Sequence, residues 1–320
     1  MPMRLIITGA LGYIGSRLIR SSWCDGIDDI VAIDNLSTQR HASLFDLGSG
    51  RPVRLIEADI RTFDFDRVLG PEDIVVHLAA ITGVEASLGD PPLVDEVNVA
   101  GTVRVAQACA ARGSRLLFLS STSVYGGRDG EVDEASDLDA APPLDCYAVS
   151  KWRAERLIAS LAADSSLRHV VARCGTIYGP SAGMRFHTAI SKFCWQASTG
   201  QPITVWRTAI DQQRPYLDLE DAARAVQFLV EGDRFDGRTF NVVTETSTVR
   251  HVIGLIREVA PDAPIVQVDS AVMTPRSQVV SCARLRAEGF ACQGNLRNGI
   301  RRTMAVLAGV RESQLQNEHR

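Results

Sequence analysis

The sequence predicts an α/β fold in which a doubly wound parallel sheet is followed by a smaller α/β domain towards the C-terminus. Three observations lead to this prediction. Short apolar runs alternate with amphipathic helical patterns through the first half of the chain. The first run leads into three glycines spaced three apart, Gly9, Gly12 and Gly15, and the second run ends in an aspartate, Asp34.

The glycine-rich segment follows the first strand. Gly9 permits the sharp turn that leaves the strand, Gly12 lets backbone approach a diphosphate closely, and Gly15 lets the next helix pack against the sheet. That helix begins at Tyr13 and Ile14, so its N-terminus offers free N–H groups and the positive end of a dipole to phosphates. A glycine-rich turn of any α/β domain is the alternative to a dinucleotide site.

The second strand, residues 30–33, leads into Asp34, nineteen residues after Gly15, and Asn35 follows. A carboxylate at this place accepts hydrogen bonds from both ribose hydroxyls of an adenosine and repels a 2′-phosphate. Together with the glycines, Asp34 therefore predicts a Rossmann-type dinucleotide site that prefers NAD to NADP.

The third and fourth strands continue the alternation. Val53–Glu57 is followed by Asp59 and Ile60, where Asp59 either bonds the adenine amino group or caps a turn. The fourth strand begins at Ile74 and is apolar on both faces, as expected of a buried parallel strand. The residues after it let backbone lie along the cofactor, and the predicted contacts are Leu78, Ala79 and Ala80.

Two polar residues interrupt apolar stretches. His77 lies within the fourth strand, and we interpret it as a core histidine with satisfied hydrogen bonds rather than as a catalyst. Asn98 lies on the buried face of a helix predicted over residues 93–112, where it is a further candidate cofactor contact. It either braces the active site or satisfies a carbonyl of a neighbouring loop, because a buried amide needs partners.

The fifth strand, residues 116–119, opens into a cluster of hydroxyl residues that includes Ser121. Ligands of open α/β sheets bind beyond the carboxyl ends of the strands, so this cluster is well placed for a substrate. A helix predicted to end near Ala163 then carries Tyr147 and Lys151, which share one face because they are four residues apart. We expect both side chains to point into the cleft beside Ser121.

These three side chains predict proton transfer coupled to hydride transfer. A phenol titrates near pKa ~10, and a neighbouring ammonium together with the positive charge of a nicotinamide favours the phenolate. Tyr147 is therefore the predicted general base or acid, Lys151 lowers its pKa and binds the nicotinamide ribose, and Ser121 hydrogen-bonds the same substrate oxygen. A tyrosine–lysine pair on a helix surface, without function, is the alternative.

The composition is that of an ordinary soluble protein, since 45% of the 320 residues are apolar and 22% are charged. A net charge of −4 without a strong basic cluster argues against nucleic acid as a partner. Seven scattered cysteines without a C-x-x-C pair predict reduced thiols and a cytoplasmic location. We expect no metal site, no signal peptide and no membrane span.

The alternation loosens after about residue 180. We predict an NAD-binding domain over residues 1–180 with a returning segment near 214–243, a discontinuous second domain over 181–310, and a frayed tail over 311–320. The pattern of the second part predicts helices near 188–197, 220–230, 249–259 and 297–308 and strands at 203–206, 239–243 and 265–268.

Several motifs occur together in a known order: the three glycines, residues 34–37, 59–60, 77–80, 98–102 and 121–126, the Tyr147/Lys151 pair, and residues 178–180. Through them the sequence resembles the extended short-chain dehydrogenase/reductase family, in particular its branch of NAD-dependent nucleotide-sugar epimerases and dehydratases. The resemblance implies a Rossmann domain and a smaller C-terminal domain that binds a nucleoside-diphosphate sugar. It also implies a homodimer formed through a four-helix bundle of helices near 93–112 and 146–163.

The resemblance further implies residues of the substrate site. Arg214 and Arg276 match arginines that hold the pyrophosphate of the sugar nucleotide, and two guanidinium forks suit that dianion. Trp206 either lies against the nucleotide base or is an apolar strand residue. The residues expected around the sugar are Thr82, Ser121, Thr122, Ser123, Thr176 and Arg185.

Departures from the family pattern bear on the reaction. Dehydratases of this branch carry Asp-Glu where this chain carries Thr122 and Ser123, so elimination across C5–C6 lacks its acid and base. The glutamate that decarboxylases usually keep there is absent as well. Thr176 replaces a usual asparagine, and Arg185 follows nine residues later; hydroxyls and a guanidinium suit a C6 carboxylate such as that of UDP-glucuronate. Alternatively, Arg185 faces solvent or joins the pyrophosphate cluster.

These residues predict NAD-dependent epimerisation of a nucleotide sugar at C4, on a UDP-hexose or a UDP-hexuronate, through a 4-keto intermediate. A keto-sugar reductase, or a dehydratase or decarboxylase of the same fold, is the alternative. A non-catalytic regulator that senses NAD is a more remote alternative, because such proteins commonly lose the pair formed here by Tyr147 and Lys151.

Overall fold

The computed structural model describes residues 4–21, 27, 29–47, 53–82, 89–126, 128, 130–143, 145–269 and 277–310. Its largest sheet has seven parallel strands: β1 (Arg4–Thr8), β2 (Asp29–Asp34), β3 (Val53–Glu57), β4 (Ile74–His77), β5 (Arg115–Ser121), β7 (His169–Cys174) and β11 (Thr239–Val242). Their order across the sheet is β11-β7-β5-β4-β1-β2-β3. The chain winds outwards from β1 in both directions, so the carboxyl ends of β1, β4 and β5 meet at one edge.

The helices of the described residues are α1 (Tyr13–Leu18), α2 (Pro91–Asp95), α3 (Thr102–Arg112), α4 (Cys146–Ala163), α5 (Ala189–Thr199), α6 (Leu219–Glu231), α7 (Val249–Arg257), α8 (Ala283–Ala287) and α9 (Leu296–Leu307). Of these, α1 and α6 cover one face of the large sheet, and α3 and α4 cover the other. Strand residues alternate between two apolar cores: Ile7 packs with residues of α1 and α6, and Ile6 packs with residues of α3 and α4. The predicted doubly wound α/β fold is confirmed. None of the helices in the described part of the chain is long and apolar enough to span a membrane.

A smaller α/β region follows the large sheet. Three small sheets contain β8 (Thr176–Tyr178), β10 (Gln213–Asp218) and β12 (Glu245–Thr248); β9 (Ile203–Trp206) and β13 (Ile265–Val268); and β6 (Gly130–Val132) and β14 (Gln278–Val280). Helices α5, α7 and α9 pack around a separate apolar core that includes Ile190, Ile253 and Ile300. This confirms the smaller C-terminal domain of the predicted fold, while β11 returns to the large sheet.

Candidate active site

The glycine-rich segment forms a tight loop between β1 and α1. Gly9 has a φ of +66°, and a Cβ atom on it would lie 2.7 Å from Ala79 N, so only glycine fits this turn. The first N–H groups of α1, at Tyr13 and Ile14, have no intrahelical acceptor, and among the described residues no side chain caps that end. The loop is therefore suited to a diphosphate.

Gly15 has a different role from the one predicted. A Cβ atom on Gly15 would lie 2.5 Å from Ala10 O and 2.7 Å from Gly9 O. The nearest obstacle to a side chain is the loop itself, not the sheet. Glycine is needed here because α1 folds back tightly on the segment that precedes it.

The carboxylate of Asp34 lies directly beside this loop. Its Oδ2 accepts a hydrogen bond from Leu11 N and its Oδ1 accepts one from Leu36 N, both at 3.0 Å. Asn35 lies next to it, with its side-chain oxygen accepting from Ser37 N at 3.1 Å. The carboxylate is thus held at the carboxyl end of β2, as an adenosine ribose requires, and these residues fit the predicted NAD.

Asp59 supports the capping interpretation. Its carboxylate accepts hydrogen bonds from the backbone N–H of Arg61 at 2.9 Å and from the guanidinium of the same residue, at 2.8 Å for Nη2. The side-chain hydrogen bonds from Arg61 lower the pKa of Asp59 to about 2. The neighbouring Ile60 is buried in the core beneath α3.

Asn98 braces the loop that follows β4. Its Oδ1 accepts from Ile81 N at 2.8 Å, and its Nδ2 donates to Ile81 O at 2.9 Å and to Ser150 Oγ at 3.0 Å. The chain is helical throughout the predicted range of 93–112, but a π-helical segment, Glu96–Gly101, lies between α2 and α3 and contains Asn98. The braced loop follows directly from the predicted cofactor contacts Leu78, Ala79 and Ala80.

Ser121 and Tyr147 come together at the carboxyl end of β5. The Ser121 hydroxyl lies close enough to the phenol to lower the pKa of Tyr147. Ser121 Oγ also accepts from Ser123 N at 3.2 Å and from Ser123 Oγ at 2.8 Å. The side chain of Asp145 caps α4, so Tyr147 lies in the first turn of that helix and Lys151 lies one turn further along. The helix therefore presents a phenol to the serine at the end of the strand.

The ammonium of Lys151 is held by strand β5. Its Nζ donates to Leu119 O at 2.8 Å and lies 4.6 Å from the centre of the Phe118 ring. Burial raises the pKa of Tyr147 to about 12 and lowers the pKa of Lys151 to about 8. The hydroxyl of Ser121 and, as a smaller cause, the positive charge of Arg185 lower the pKa of Tyr147 against this effect of burial.

Arg185 enters the same cleft and contacts another predicted sugar residue. Its guanidinium donates to Thr82 Oγ1 and, at 3.3 Å, to Thr82 O. Burial, together with the positive charge of Arg40, lowers the pKa of Arg185 to about 10. Across the described ranges, no carboxylate forms an ion pair with Arg185. A partly buried guanidinium of this kind is a ready binding group for an anion.

Gly183 and Ser16, which sequence reasoning missed, connect the loop that carries Arg185 to the glycine-rich loop. Gly183 lies so close to Gly12 that a Cβ atom on it would clash with Gly12 O. Gly183 N donates to Ser16 Oγ at 3.0 Å, and Gly183 O accepts from Arg40 Nη1 at 2.9 Å. The signal in the sequence is the glycine two positions before Arg185.

The remaining predicted sugar residues are uncharged. Thr122 and Ser123 begin a 3₁₀ turn, Thr122–Tyr125, in which Thr122 is buried and Ser123 is partly exposed. Thr176 is the first residue of β8, where it pairs with Tyr216 of β10.

The residues predicted for the nucleotide part lie in the smaller region. Trp206 ends β9, in register with Val268, and Arg214 lies on β10, where burial lowers its pKa. Arg276, the second predicted pyrophosphate ligand, lies outside the described residues. Within those residues, no group of three or more His, Cys, Asp or Glu side chains is arranged to hold a metal ion.

Comparison with known proteins places this site in context. Residues 5–242 match the NAD dependent epimerase/dehydratase family. An uncharacterized UDP-glucose epimerase, YtcB, of Bacillus subtilis (strain 168) is 28% identical over 269 residues, which cover 81% of this chain and 82% of that protein. A dTDP-glucose 4,6-dehydratase of Neisseria gonorrhoeae is 28% identical over 280 residues, with 81% and 80% covered.

Among solved structures, that of MoeE5 in complex with UDP-glucuronic acid and NAD is similar to this chain. The TM-score is 0.82 at 29% identity, and the match covers 94% of this chain and 98% of that chain. MoeE5 has also been solved in complex with UDP-glucose and NAD. The similar proteins include both an epimerase and a dehydratase, so the reaction has to be inferred from the residues of this chain.

Proposed function

The chain belongs to the NAD-dependent epimerase/dehydratase family, with NAD as its cofactor, and we propose that it epimerises a UDP-sugar at C4. The observation that carries this proposal is the pair Thr122 and Ser123, which follows the candidate catalytic Ser121. Neither side chain ionises near neutral pH, whereas elimination of water across C5–C6 needs an acid and a base. Among the described residues of the candidate site, Tyr147 is then the proton-transfer group, and oxidation and reduction at a single carbon require one such group.

In the proposed reaction, Tyr147 accepts the proton of the C4 hydroxyl and later returns it to the 4-keto sugar. Ser121 lies beside Tyr147, lowers the pKa of that phenol and aligns the same substrate oxygen. The glycine-rich loop and Asp34 would hold NAD, which would supply the acceptor and then the donor of the C4 hydride. The positive charge of Arg185 lowers the pKa of Tyr147 and so assists proton removal.

We further propose a UDP-hexuronate as a substrate beside neutral UDP-hexoses. Arg185 and Thr82 form a guanidinium–hydroxyl pair in the cleft, and a C6 carboxylate can bind such a guanidinium in bidentate fashion. Holding that carboxylate also serves the chemistry, because a 4-keto uronate left free to rotate tends to lose CO₂. The complex of the similar MoeE5 with UDP-glucuronic acid supports this choice.

For the nucleotide, we propose that Arg214 and Arg276 bind the pyrophosphate and that Trp206 contacts the base. For the assembly, we propose a cytoplasmic homodimer in which α3 and α4 of two subunits pack together. The exposed Leu157 on α4 supports an apolar contact there. We propose the same domain boundaries as the sequence predicts, with NAD bound by residues 1–180 and the sugar nucleotide bound mainly by 181–310.

The test is an assay of the purified protein with UDP-glucuronate or UDP-glucose and only a catalytic amount of NAD. NMR of the C4 position follows the approach to an equilibrium of the two epimers. We expect both epimers to appear from either starting sugar without net change in NADH. A strict requirement for stoichiometric NADH or NADPH would overturn the proposal in favour of a keto-sugar reductase, and loss of water or CO₂ would favour a dehydratase or decarboxylase.

A further inference from the structure

A buried ion pair lies one helical turn beyond Lys151. The carboxylate of Glu155 on α4 accepts from Arg173 Nη2 at 2.7 Å and from Arg173 Nε at 3.1 Å to each oxygen. Ser120 donates to the same carboxylate. Glu155 is 8% exposed and Arg173 is 6% exposed, so water hydrates neither charge. Removal of either residue would therefore leave the charge of the other buried without a partner.

The same guanidinium reaches a second part of the site. Arg173 Nη1 donates to the hydroxyl of Tyr125 at 3.0 Å, and that hydroxyl donates to Asn241 Oδ1 at 2.7 Å. Tyr125 is the last residue of the 3₁₀ turn that begins at Thr122. One side chain therefore connects α4, which carries the candidate catalytic tyrosine and lysine, to the turn that carries the candidate sugar contacts.

The position of Arg173 in the sheet explains this double contact. β5 and β7 are parallel neighbours in which Ser120 lies opposite Arg173, so both side chains face α4. Only arginine has enough donors in a planar fork to bind a carboxylate with two nitrogens and a phenol with the third. A lysine at this place bonds the carboxylate or the phenol but does not hold both in one geometry.

The charge of Glu155 bears directly on Lys151. The groups that face the Lys151 ammonium are Glu155 on its own helix, Cys174 on β7, His77 on β4, and the Leu119 carbonyl and Phe118 ring on β5. Glu155 raises the pKa of Lys151 against the lowering effect of burial. A carboxylate at i+4 is within reach of a lysine on a helix, so an unpaired Glu155 would attract the ammonium away from the cleft.

We propose that Arg173 is a positioning residue for the reaction, which holds α4 against the Thr122–Tyr125 turn and, by engaging Glu155, leaves the Lys151 ammonium at the cleft. The inference rests on the proposed function only in that Tyr147 and Lys151 are taken to do the chemistry. Arg173 itself contacts neither residue and acts through Glu155 and Tyr125.

The sequence makes a direct test possible, because its lysines are Lys151 and Lys192. In full-length protein with Lys192→Arg, ¹³C-labelled lysine and excess NAD, one side-chain resonance reports the titration of Lys151. Arg173→Met frees the carboxylate of Glu155 and should raise the titration midpoint by about one pH unit, whereas Glu155→Gln should lower it by about as much. The double variant Glu155→Gln/Arg173→Met should return it close to the starting value.

An ion pair without electrostatic coupling to Lys151 would not move the two midpoints in opposite directions. Equal midpoints in the parent protein and both single variants, or shifts of the same sign, would overturn the electrostatic part of the proposal. As a matched control, Arg250→Met removes an exposed ion pair with Asp211 and should leave the Lys151 midpoint unchanged.

Kinetics tests the positional part. Arg173→Lys keeps the charge beside Glu155 but loses the bridge to Tyr125, so we expect kcat to fall about tenfold or more while the Lys151 midpoint stays in place. Unchanged kcat in Arg173→Lys would overturn this part. If either single charge variant does not fold, Arg173→Lys and the charge-free double variant still test the proposal, because neither of them leaves a buried charge unpaired. If the parent protein binds NAD but epimerises no UDP-sugar, the proposed function fails, and the Lys151 titration still tests the inference.

Discussion

The hydroxyl of Thr8 lies 2.6 Å from Nδ1 of His77, and the neighbours of both residues determine where the proton lies. Thr102 donates its hydroxyl proton to Asn98 O at 2.7 Å, so Thr102 Oγ1 must accept from Nε2 of His77, 2.9 Å away. Nε2 therefore carries the ring proton, and Nδ1 accepts from Thr8. His77 is a neutral core histidine with both nitrogens bonded, as the sequence analysis proposed.

We expect acid to destabilise the protein through His77. Burial, with the charge of Lys151 as a smaller cause, lowers the pKa of His77 from 6.5 to about 3. Below pH 6.5 the unfolded chain binds a proton that the folded chain does not, so the free energy of unfolding falls as pH falls towards 3. The expected loss between pH 7 and pH 5 is about 2 kcal/mol, measured by urea denaturation.

His77→Gln should have a lower free energy of unfolding at pH 7, because hydrogen bonds to the threonines are lost. Between pH 7 and pH 5, however, its free energy of unfolding should fall by about 2 kcal/mol less than that of the parent protein. His41→Gln, at an exposed position, is the control and should keep the dependence of the parent protein. An equal loss in His77→Gln and the parent protein would exclude His77 as the cause.

Tyr147→Phe should lower kcat for epimerisation by about 10²-fold to 10⁴-fold, which is the range for removal of a general acid–base group. NAD binding, measured by calorimetry, should stay nearly intact because the ring is kept. Tyr216→Phe is a matched control, since among the described residues the hydroxyl of Tyr216 has no hydrogen-bond partner. Activity close to that of the parent protein in Tyr147→Phe would remove this phenol from the mechanism.

The cofactor preference should depend on Asp34. We expect NAD to bind at least about tenfold more tightly than NADP, a difference of about 1.4 kcal/mol, because the fixed carboxylate repels a 2′-phosphate. Asp34→Ala should lower the ratio of the NAD affinity to the NADP affinity. It should also weaken the binding of both dinucleotides, because Leu11 N and Leu36 N lose their hydrogen-bond acceptor. Titration calorimetry measures the ratio, and equal affinities for NAD and NADP in the parent protein would contradict the assignment.

Arg185→Ala should discriminate between acidic and neutral sugars. We expect the KM for UDP-glucuronate to rise about tenfold or more relative to the KM for UDP-glucose, because only the uronate has a carboxylate to pair with the guanidinium. Arg207→Ala, which removes an exposed arginine paired with Asp269, is the control and should change neither value. Equal losses for both sugars would mean that Arg185 serves the site through its charge on Tyr147 alone.

The sequence analysis could locate Tyr147 and Lys151 because their relation is local: four residues on a helix fix which face they share. The large sheet was predictable for a similar reason, since each apolar run and its turn residues are contiguous. The direction of the Lys151 ammonium was not predictable. Its acceptor, Leu119 O, lies on a strand thirty-two positions earlier, and burial decides whether the ammonium bonds that carbonyl or approaches the phenol.

The partners of Arg173 lay beyond sequence reasoning for the same cause. Glu155 comes from a helix and Tyr125 from a turn, and only the register of β5 against β7 brings both to one guanidinium. Asn98 was recognised as a buried amide that needs partners, but the π-helical turn that aims it at Ile81 has no signature in the residue pattern. The register between strands and the π-helical segment both depend on tertiary packing. The spacing of residues along the chain does not predict that packing.

Gly183 packs against Gly12 and bonds Ser16, so the loop that carries Arg185 lies directly against the glycine-rich loop proposed to bind the dinucleotide. We expect that a movement wide enough to release the dinucleotide also withdraws that arginine from the proposed sugar site. We therefore expect the protein to retain its oxidant from one turnover to the next. Its throughput would then follow the supply of sugar nucleotide and be insensitive to the ratio of reduced to oxidised nicotinamide in its surroundings.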